Sequence, residues 1–254
     1  MNKIVLAGTA GAGKSTLTAA LADWMTDNGY DASVMNLDPG VDELAYDADI
    51  DIRDWVKLEE VMKEYGLGPN GAQIVASDLV ALNMNKVLEP MEKLETDFLI
   101  VDTPGQMELF AYRQSGRMVV EKLGVDESVL AFVSDPAICK TPSGFLSSAL
   151  LFASVNFRLP IPALNVLSKT DVVEATELER MMLWSRDDEA LYSDLLDQDA
   201  KGSKPFNVEL FHSLRQLGAY TELLPVSAKE YTGLEELYSR VQGIFLGGED
   251  LERR

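Results

Sequence analysis

The sequence predicts an α/β protein in which helices cover both faces of a mainly parallel sheet. Short apolar runs recur along the 254 residues, and stretches with apolar residues at helical spacing follow them, as in repeated strand–helix units. The first unit also contains a glycine-rich turn, GTAGAGKS, between its apolar run and its helix. These two observations favour one domain over residues 1–254, with three layers and the strands in the middle layer.

The apolar runs predict the strands, and helical spacing predicts the first and last helices. The predicted strands are Lys3–Ala7, Ala32–Asn36, Phe98–Asp102, Val129–Ser134, Ala163–Leu167 and Leu223–Val226. The first helix should begin near Lys14, directly after the glycine-rich turn, and the last should cover about 232–245. Strands that alternate with helices in this way usually form a parallel sheet, because parallel neighbours need a crossover connection.

The interval from Asp38 to Asp102 is too long for a single crossover between neighbouring strands. Two groups of apolar residues at helical spacing occupy it, separated by the turn-forming residues 66–71, GLGPNG. The first group is Trp55, Leu58, Met62 and Tyr65, and the second is Val80, Met84, Val87, Met91 and Leu94. Pro90 should kink the second helix or restrict its register. We therefore expect a helical insertion at about 44–96 with a rigid loop at its tip, and a second, acidic helical insertion at about 176–218.

The glycine-rich turn, 8–15, fits the GxxxxGK[ST] pattern of a phosphate-binding P-loop. Its glycines allow a tight turn in which successive N–H groups point at phosphate oxygens, and the N-terminus of the following helix favours anions. Lys14 should reach the β- and γ-phosphates, and the Ser15 hydroxyl should bind Mg²⁺. The nucleotide-binding residues expected here are Gly11, Ala12, Gly13, Lys14, Ser15 and Thr16. The sequence thus predicts a P-loop NTPase fold.

Three later motifs each follow a predicted strand and fit a guanine-nucleotide site. Asp102 begins an Asp-x-x-Gly motif, in which the aspartate can hold Mg²⁺ through water and the glycine N–H can sense the γ-phosphate. The Ser-Lys-Thr-Asp motif is a variant of Asn-Lys-x-Asp, and we expect its Lys169 and Asp171 to contact the nucleotide. The Asp171 carboxylate would accept hydrogen bonds from guanine N1–H and N2–H₂, which adenine lacks. Ser227 and Ala228 match the loop that offers a backbone N–H to guanine O6.

With these motifs in this order, the sequence resembles the GPN-loop GTPases. The resemblance is carried by the P-loop, by Asp-Thr-Pro-Gly-Gln at 102–106 and by a Gly-Pro-Asn tripeptide at 68–70. The Asn-Leu-Asp-Pro segment at 36–39 supports it, since Asp-Pro after the second strand is typical of the broader SIMIBI class of dimer-forming P-loop NTPases. The resemblance covers nearly the whole chain, from about 3 to 245.

The resemblance implies a homodimer in which the tripeptide of each subunit enters the nucleotide site of the other. This trans loop consists of Gly68, Pro69 and Asn70. By the same resemblance, Asn70 would contact the γ-phosphate or the released phosphate. Pro69 fixes its own φ angle and Gly68 permits close approach, so the loop could hold Asn70 rigidly near a phosphate.

The resemblance also implies the residues around the metal and the attacking water. Asp38, Asp102 and Gln106 would act with Asn70 in catalysis, and Ser15, Asp102 and Asp38 would be the metal ligands. The sequence departs from the usual pattern at Ser168, where guanine-specific GTPases have Asn. That Asn mainly braces the loop while the aspartate reads the base, so Ser168 weakens the argument for guanine without removing it.

The sequence therefore predicts a Mg²⁺-dependent GTPase that hydrolyses GTP to GDP and phosphate and acts as a homodimeric conformational switch read by a protein client. Such hydrolysis needs only positioning and charge stabilisation, with no covalent step. Two alternatives remain open. A P-loop small-molecule kinase would need an acceptor site and usually a basic lid, and the sequence has no Arg-rich lid segment. A nucleotide-sensing scaffold would bind GTP with negligible turnover.

Charge and cysteine content limit the partners and the compartment that we expect. The chain has 22 Lys and Arg against 42 Asp and Glu, a formal net charge of −20, which argues against direct nucleic-acid binding and against an anionic membrane surface. Cys139 is the single cysteine, so no internal disulfide can form, as is usual in a reducing compartment. The apolar runs are too short for a signal peptide or a membrane span, and we expect a cytoplasmic protein.

Overall fold

The computed structural model describes residues 1–199, 206–216 and 221–246. Within these residues, seven strands form one sheet in which every pair of neighbours is parallel. The strands are β1 (Asn2–Gly8), β2 (Ala32–Asn36), β3 (Ile50–Asp51), β4 (Phe98–Asp102), β5 (Ser128–Ser134), β6 (Ala163–Leu167) and β7 (Leu223–Pro225). Their order across the sheet is β3-β2-β4-β1-β5-β6-β7. The parallel sheet predicted from the sequence is confirmed.

The helices connect these strands and cover both faces of the sheet. They are α1 (Lys14–Asp27), α2 (Leu58–Tyr65), α3 (Pro69–Met91), α4 (Met107–Phe110), α5 (Gln114–Leu123), α6 (Pro136–Cys139), α7 (Pro142–Arg158), α8 (Ala175–Arg186), α9 (Asp188–Asp199), α10 (Phe206–Gln216) and α11 (Leu234–Leu246). No helix in the described ranges combines the length and the apolar composition that a membrane span requires.

Alternate residues of the central strands face two separate cores. Ile4 of β1 packs with α1 and α11 on one face, whereas Val5 packs with α2, α3, α5 and α7 on the other. A smaller third cluster around Trp184 joins α7 to α8, α9 and α10. Because successive side chains of a strand point to opposite faces, a strand that is buried on both sides is a continuous apolar run. This accounts for the three-layer α/β fold that the apolar runs predict.

Strand β3 is a feature that the sequence analysis did not predict. It has two residues, and it extends the sheet by pairing Ile50 with Met35 and Asp51 with Asn36 of β2. A strand this short has no alternation of apolar and polar residues to detect. It lies inside the 44–96 interval, ahead of the helices. The boundaries proposed for that insertion remain predictions.

The two helical groups of this interval were predicted with different success. Helix α2 begins at Leu58, so Trp55 precedes it, and Tyr65 is exposed while Val61 is the buried residue of the helix. On α3, all the predicted residues that the helix includes are buried: Val80, Met84, Val87 and Met91. Pro90 lies in the last turn of α3, which ends one residue later.

The described part of the second insertion is helical except at Asp187, which separates two helices. Helices α8, α9 and α10 cover most of the predicted interval at 176–218. Its residues 200–205 and 217–218 lie outside the described residues. Apolar side chains of these helices, among them Met181, Leu191 and Phe211, are buried against α7 in the third cluster. The acidic residues Glu179, Asp187, Glu189 and Asp197 of the insertion are exposed.

Candidate nucleotide site

The residues predicted to bind the nucleotide meet at one edge of the sheet. All the strands are parallel, so their carboxyl ends lie at the same edge, and ligands of open α/β sheets bind there. Strand β1 lies between β4 and β5, and the P-loop leaves its end. Register places Leu6 beside Asp102 and Gly8 beside Val133. The P-loop and the Asp-x-x-Gly motif are thus immediate neighbours.

The backbone of the P-loop requires glycine at both of its ends. At Gly8, a Cβ atom would lie 2.3 Å from the carbonyl oxygen of Val133, which leaves no room for a side chain. Gly13 has a φ of +94°, a conformation that other residues rarely adopt. Helix α1 begins at the next residue, so its free N–H groups face the loop, as a phosphate site requires.

Lys14 lies inside the loop. Its ammonium group donates hydrogen bonds to the carbonyl oxygens of Gly8 and Thr9, both at 3.0 Å, and of Gly105 at 3.2 Å. Burial lowers the pKa of Lys14, and the negative charges of Asp102 and Asp38 act in the opposite direction. A desolvated cation at this position interacts strongly with any anion that enters the loop.

Asp102 fits a role as a metal ligand. Its side chain is almost completely buried, and burial raises its pKa, while the hydroxyls of Ser15 and Tyr46 and the charge of Lys14 partly offset this effect. One carboxylate oxygen, Oδ2, accepts a hydrogen bond from Tyr46 at 2.9 Å. The other, Oδ1, is buried and has no hydrogen-bond partner among the described residues. A buried carboxylate oxygen without a partner, next to a serine hydroxyl, is a donor set that Mg²⁺ prefers.

Asp38 connects the segment after β2 to the segment after β4. Its Oδ1 accepts a hydrogen bond from the N–H of Gly40 at 2.8 Å, and its Oδ2 accepts one from the N–H of Gly105 at 3.1 Å. The Gly105 N–H, which the sequence suggests as a γ-phosphate sensor, therefore donates its hydrogen bond to the Asp38 carboxylate in this structure. Asp38 also lies close enough to Asp102 for its charge to act on the pKa of that residue.

Gln106 and Asn70 belong to neighbouring elements, since Gln73 of α3 contacts Gln106. Gln106 is exposed, and its Nε2 donates a hydrogen bond to Oε1 of Gln73 at 2.9 Å. Gly68 and Pro69 form the start of α3, and Asn70 follows in its first turn. The side chain of Asn70 is exposed and has no hydrogen-bond partner in the described part of the chain. The Gly-Pro-Asn tripeptide is thus a helix start that follows a short turn after α2.

A cavity of about 160 Å³ beside the P-loop brings together the predicted base-binding residues. Its walls include Gly13, Thr16, Ser168, Lys169, Asp171 and Ala228. Oδ1 of Asp171 accepts a hydrogen bond from the Ser227 hydroxyl at 2.8 Å. This contact fixes the carboxylate, and no described residue donates a hydrogen bond to its second oxygen, which could therefore accept one from a ligand in the cavity.

Ser168 is a brace for the P-loop, although it replaces the usual asparagine. The side chain is buried, and its hydroxyl donates to the carbonyl oxygen of Ala12 at 2.6 Å. The carbonyl oxygen of Ser134 lies 3.1 Å from the same hydroxyl. The serine thus connects the P-loop to the ends of β5 and β6, which is the bracing role expected of the asparagine.

Sequence reasoning missed three residues that contact the predicted site. Tyr46 contacts Asp102, and Gln73 contacts Gln106. Asp135 forms an ion pair with Lys169 at 2.9 Å, and the same ammonium group also donates to the carbonyl oxygen of Gly11. Asp135 directly follows β5, and that position was a signal that could have identified it. Tyr46 lies in an irregular segment and offers no such signal.

Comparison with known proteins agrees with this geometry. The chain matches the family model described as a conserved hypothetical ATP binding protein over residues 6–246. It is 34% identical over 243 residues to the GPN-loop GTPase PAB0955 of Pyrococcus abyssi, a match that covers 92% of this chain and 93% of that protein. The chain belongs to the GPN-loop GTPase family. The family resemblance drawn from the motifs is therefore confirmed.

Two further similarities support the assignment to the GPN-loop GTPases. The crystal structure of PAB0955 in its apo form matches with a TM-score of 0.84 at 30% identity, covering 96% of this chain and 98% of that one. GPN-loop GTPase 1 of Dictyostelium discoideum is 31% identical over 241 residues. That match covers 94% of this chain but 60% of the relative, which is longer.

Proposed function

We propose that this chain hydrolyses GTP to GDP and phosphate in a Mg²⁺-dependent reaction. The observation that carries the proposal is the buried Asp102 carboxylate beside the P-loop, with one oxygen that no described residue satisfies. Ser15 and Asp102 would hold Mg²⁺, which would neutralise charge on the phosphates when bound. Asp38, the third predicted ligand, accepts one backbone N–H at each carboxylate oxygen, so each oxygen keeps a lone pair that would be available to the metal.

Residues of the chain itself would bind the phosphates and orient the attacking water by their position and charge. The N–H groups of the P-loop and the ammonium of Lys14 would bind the β- and γ-phosphates. Gln106 would orient the attacking water, and the Asp38 carboxylate would accept a hydrogen bond from it. Transfer of the γ-phosphoryl group to water breaks its bond to the β-phosphate oxygen and releases phosphate and a proton.

We also propose that the active form is a homodimer in which Asn70 completes the site of the partner. In support, Asn70 is exposed and does not line the cleft of about 110 Å³ beside its own P-loop, which Ala10, Asp38 and Gln106 line. A side-chain amide is a suitable donor to a phosphate oxygen on which charge develops. The γ-phosphate would hold both the Asp38 and the Gly105 segments, so hydrolysis would change the dimer geometry that a protein client reads.

Guanine selectivity is the part of the proposal that most needs a test. The description of the matching family model names ATP binding, whereas the relatives are named as GTPases. The cavity with Asp171 favours guanine, because its carboxylate can accept from two donors that adenine lacks. The proposal includes a cytoplasmic location and no direct contact with nucleic acid or with a membrane.

The test is phosphate release from GTP and from ATP, with and without Mg²⁺, together with the mass of the protein by light scattering. We expect release from GTP well above ATP, no release with EDTA, and a dimer with a non-hydrolysable GTP analogue. The Lys14→Ala variant is the control for contaminating activity. Phosphate transfer to an added small-molecule acceptor would indicate a kinase, and GTP binding without turnover would indicate a scaffold. Equal use of GTP and ATP would contradict the base assignment.

A further inference from the structure

Helix α3 carries a residue that faces the chain's own nucleotide site. Gln73 follows Asn70 by three positions, so both lie on the same side of the helix, one turn apart. Unlike Asn70, Gln73 is half-buried and lines a cleft of about 110 Å³ beside the P-loop. Asp38, Gly105 and Gln106 line the same cleft. Gln73 is therefore a residue of this helix face that contacts Gln106, which is proposed to act on the attacking water.

The Gln73 amide lies between the two segments that face the phosphates. Its Oε1 accepts a hydrogen bond from Nε2 of Gln106 at 2.9 Å. Its Nε2 lies 3.7 Å from the position of a Cβ atom built on Gly40, and Oδ1 of Asp38 lies 3.4 Å from the same position. The side chain thus contacts the segment after β4 and approaches the segment after β2.

Helix α3 is attached firmly enough to set the position of this amide. One turn beyond Gln73, the buried Ser77 hydroxyl donates to the carbonyl oxygen of Leu109 at 2.6 Å. The next residue, Asp78, forms a two-bond ion pair with Arg113, with distances of 2.6 and 3.1 Å. These contacts fix the helix against residues 106–113. Gln73 therefore has a defined position relative to the backbone of Gln106.

We propose that Gln73 is a positioning residue that orients the side chain of Gln106 for hydrolysis. With Nε2 of Gln106 donating to Gln73, the carbonyl oxygen of the Gln106 amide is directed away from Gln73 and can accept a hydrogen bond from water. An exposed glutamine otherwise samples many rotamers, and ordering it costs conformational entropy. The hydrogen bond to Gln73 reduces this cost before the reaction starts. This inference rests on the proposed GTPase function.

The test compares two substitutions of Gln73 in the full-length protein with saturating GTP and Mg²⁺. Gln73→Leu keeps the approximate volume and removes the acceptor, whereas Gln73→Glu keeps an acceptor oxygen. For one hydrogen bond, we expect kcat of Gln73→Leu to fall about three- to tenfold, with KM for GTP unchanged. Gln73→Glu keeps an acceptor but adds a negative charge near Asp38, so it should recover part of the lost kcat and raise KM for GTP. Asn85→Leu is the matched control, because Asn85 is an exposed amide on α3 that accepts from Lys122, away from the site.

A double-mutant cycle with Gln106→Leu separates positioning from a structural role. If Gln73 acts through Gln106, then Gln73→Leu should lower kcat no further in the Gln106→Leu background. An equal loss in both backgrounds, with an unchanged melting temperature, would overturn the inference. If the wild type hydrolyses GTP, and Gln106→Leu lowers kcat but Gln73→Leu does not, the inference about Gln73 is overturned while the proposed function stands. Absence of hydrolysis by the wild type would instead reject the function itself.

Discussion

The Asp102→Asn substitution should stabilise the protein in the absence of Mg²⁺ and nucleotide while abolishing hydrolysis. Asp102 is 2% exposed, and its Oδ1 is buried without a partner among the described residues. Burial raises its pKa even though Lys14 lies nearby, so the fold disfavours the ionised form. Asparagine has the same shape without the charge, and its amide can still accept from Tyr46.

The size of the effect follows from the charge on the buried carboxylate. The asparagine N–H₂ group would itself lack a partner at the position of Oδ1, so the substitution recovers only the cost that the charge adds, about 1 kcal/mol. For a chain of this length, that corresponds to a rise in melting temperature of roughly 2–4 °C. The sign with pH follows from linkage. An acid whose pKa is raised in the folded state lowers the free energy of unfolding when it ionises. Below its unfolded pKa of about 3.9 this loss of stability is absent, it grows as the pH rises from there, and it is constant above the folded pKa.

The assay is thermal unfolding in EDTA, without nucleotide, at several pH values from 8 downwards. The variant should have a higher melting temperature than the wild type at pH 8, and the difference between the two melting temperatures should decrease as the pH falls. Glu89→Gln is the matched control, since the pKa of that exposed carboxyl is lowered by Lys93 and its removal should not raise the melting temperature. A lower melting temperature for Asp102→Asn than for wild type at pH 8 would refute the account of a destabilising buried charge.

The remaining predictions concern the nucleotide. Asp171→Ala should erase most of the preference for GTP over ATP, at a cost of about 2–4 kcal/mol in GTP binding, measured by calorimetry with both nucleotides. Unchanged selectivity would exclude Asp171 from the base site. Lys14→Ala should abolish productive Mg²⁺–nucleotide binding with its circular dichroism unchanged, and near-normal hydrolysis would contradict the P-loop assignment. Ser168→Ala should weaken GTP binding about three- to tenfold, because the Ala12 carbonyl loses its partner. Equal affinity would show that the brace is dispensable.

The sequence determines most of the sheet because burial on both faces leaves a continuous apolar run. The bounds predicted for β2, β4 and β6 agree with the structure. The loops at the ends of the strands were found for a different reason, since phosphate binding and base recognition need particular residues at fixed spacing. Strand β3 was missed because its two residues have no pattern of their own and depend on pairing with β2.

The contacts that support the site could not be predicted, because they join distant parts of the chain. Tyr46 meets Asp102 across 56 positions, and Gln73 meets Gln106 across 33. Neither residue belongs to a motif, and each reaches the site only when its element is packed against the sheet. The prediction that Tyr65 belongs to the buried face of the first helical group was wrong for a related reason. The side of α2 that packs against the rest of the protein is the side that carries Val61.

A mixing experiment tests most directly whether the trans loop serves the partner subunit. Asn70→Ala and Lys14→Ala should each be inactive alone, the first because the loss of one preorganised donor slows such reactions roughly 10²–10³-fold. A heterodimer of the two has one site with an intact P-loop and an intact partner loop. Hydrolysis should therefore recover as the variants are titrated together, to at most one working site per heterodimer. No recovery, with subunit exchange confirmed by mass, would contradict a site completed by Asn70 of the partner.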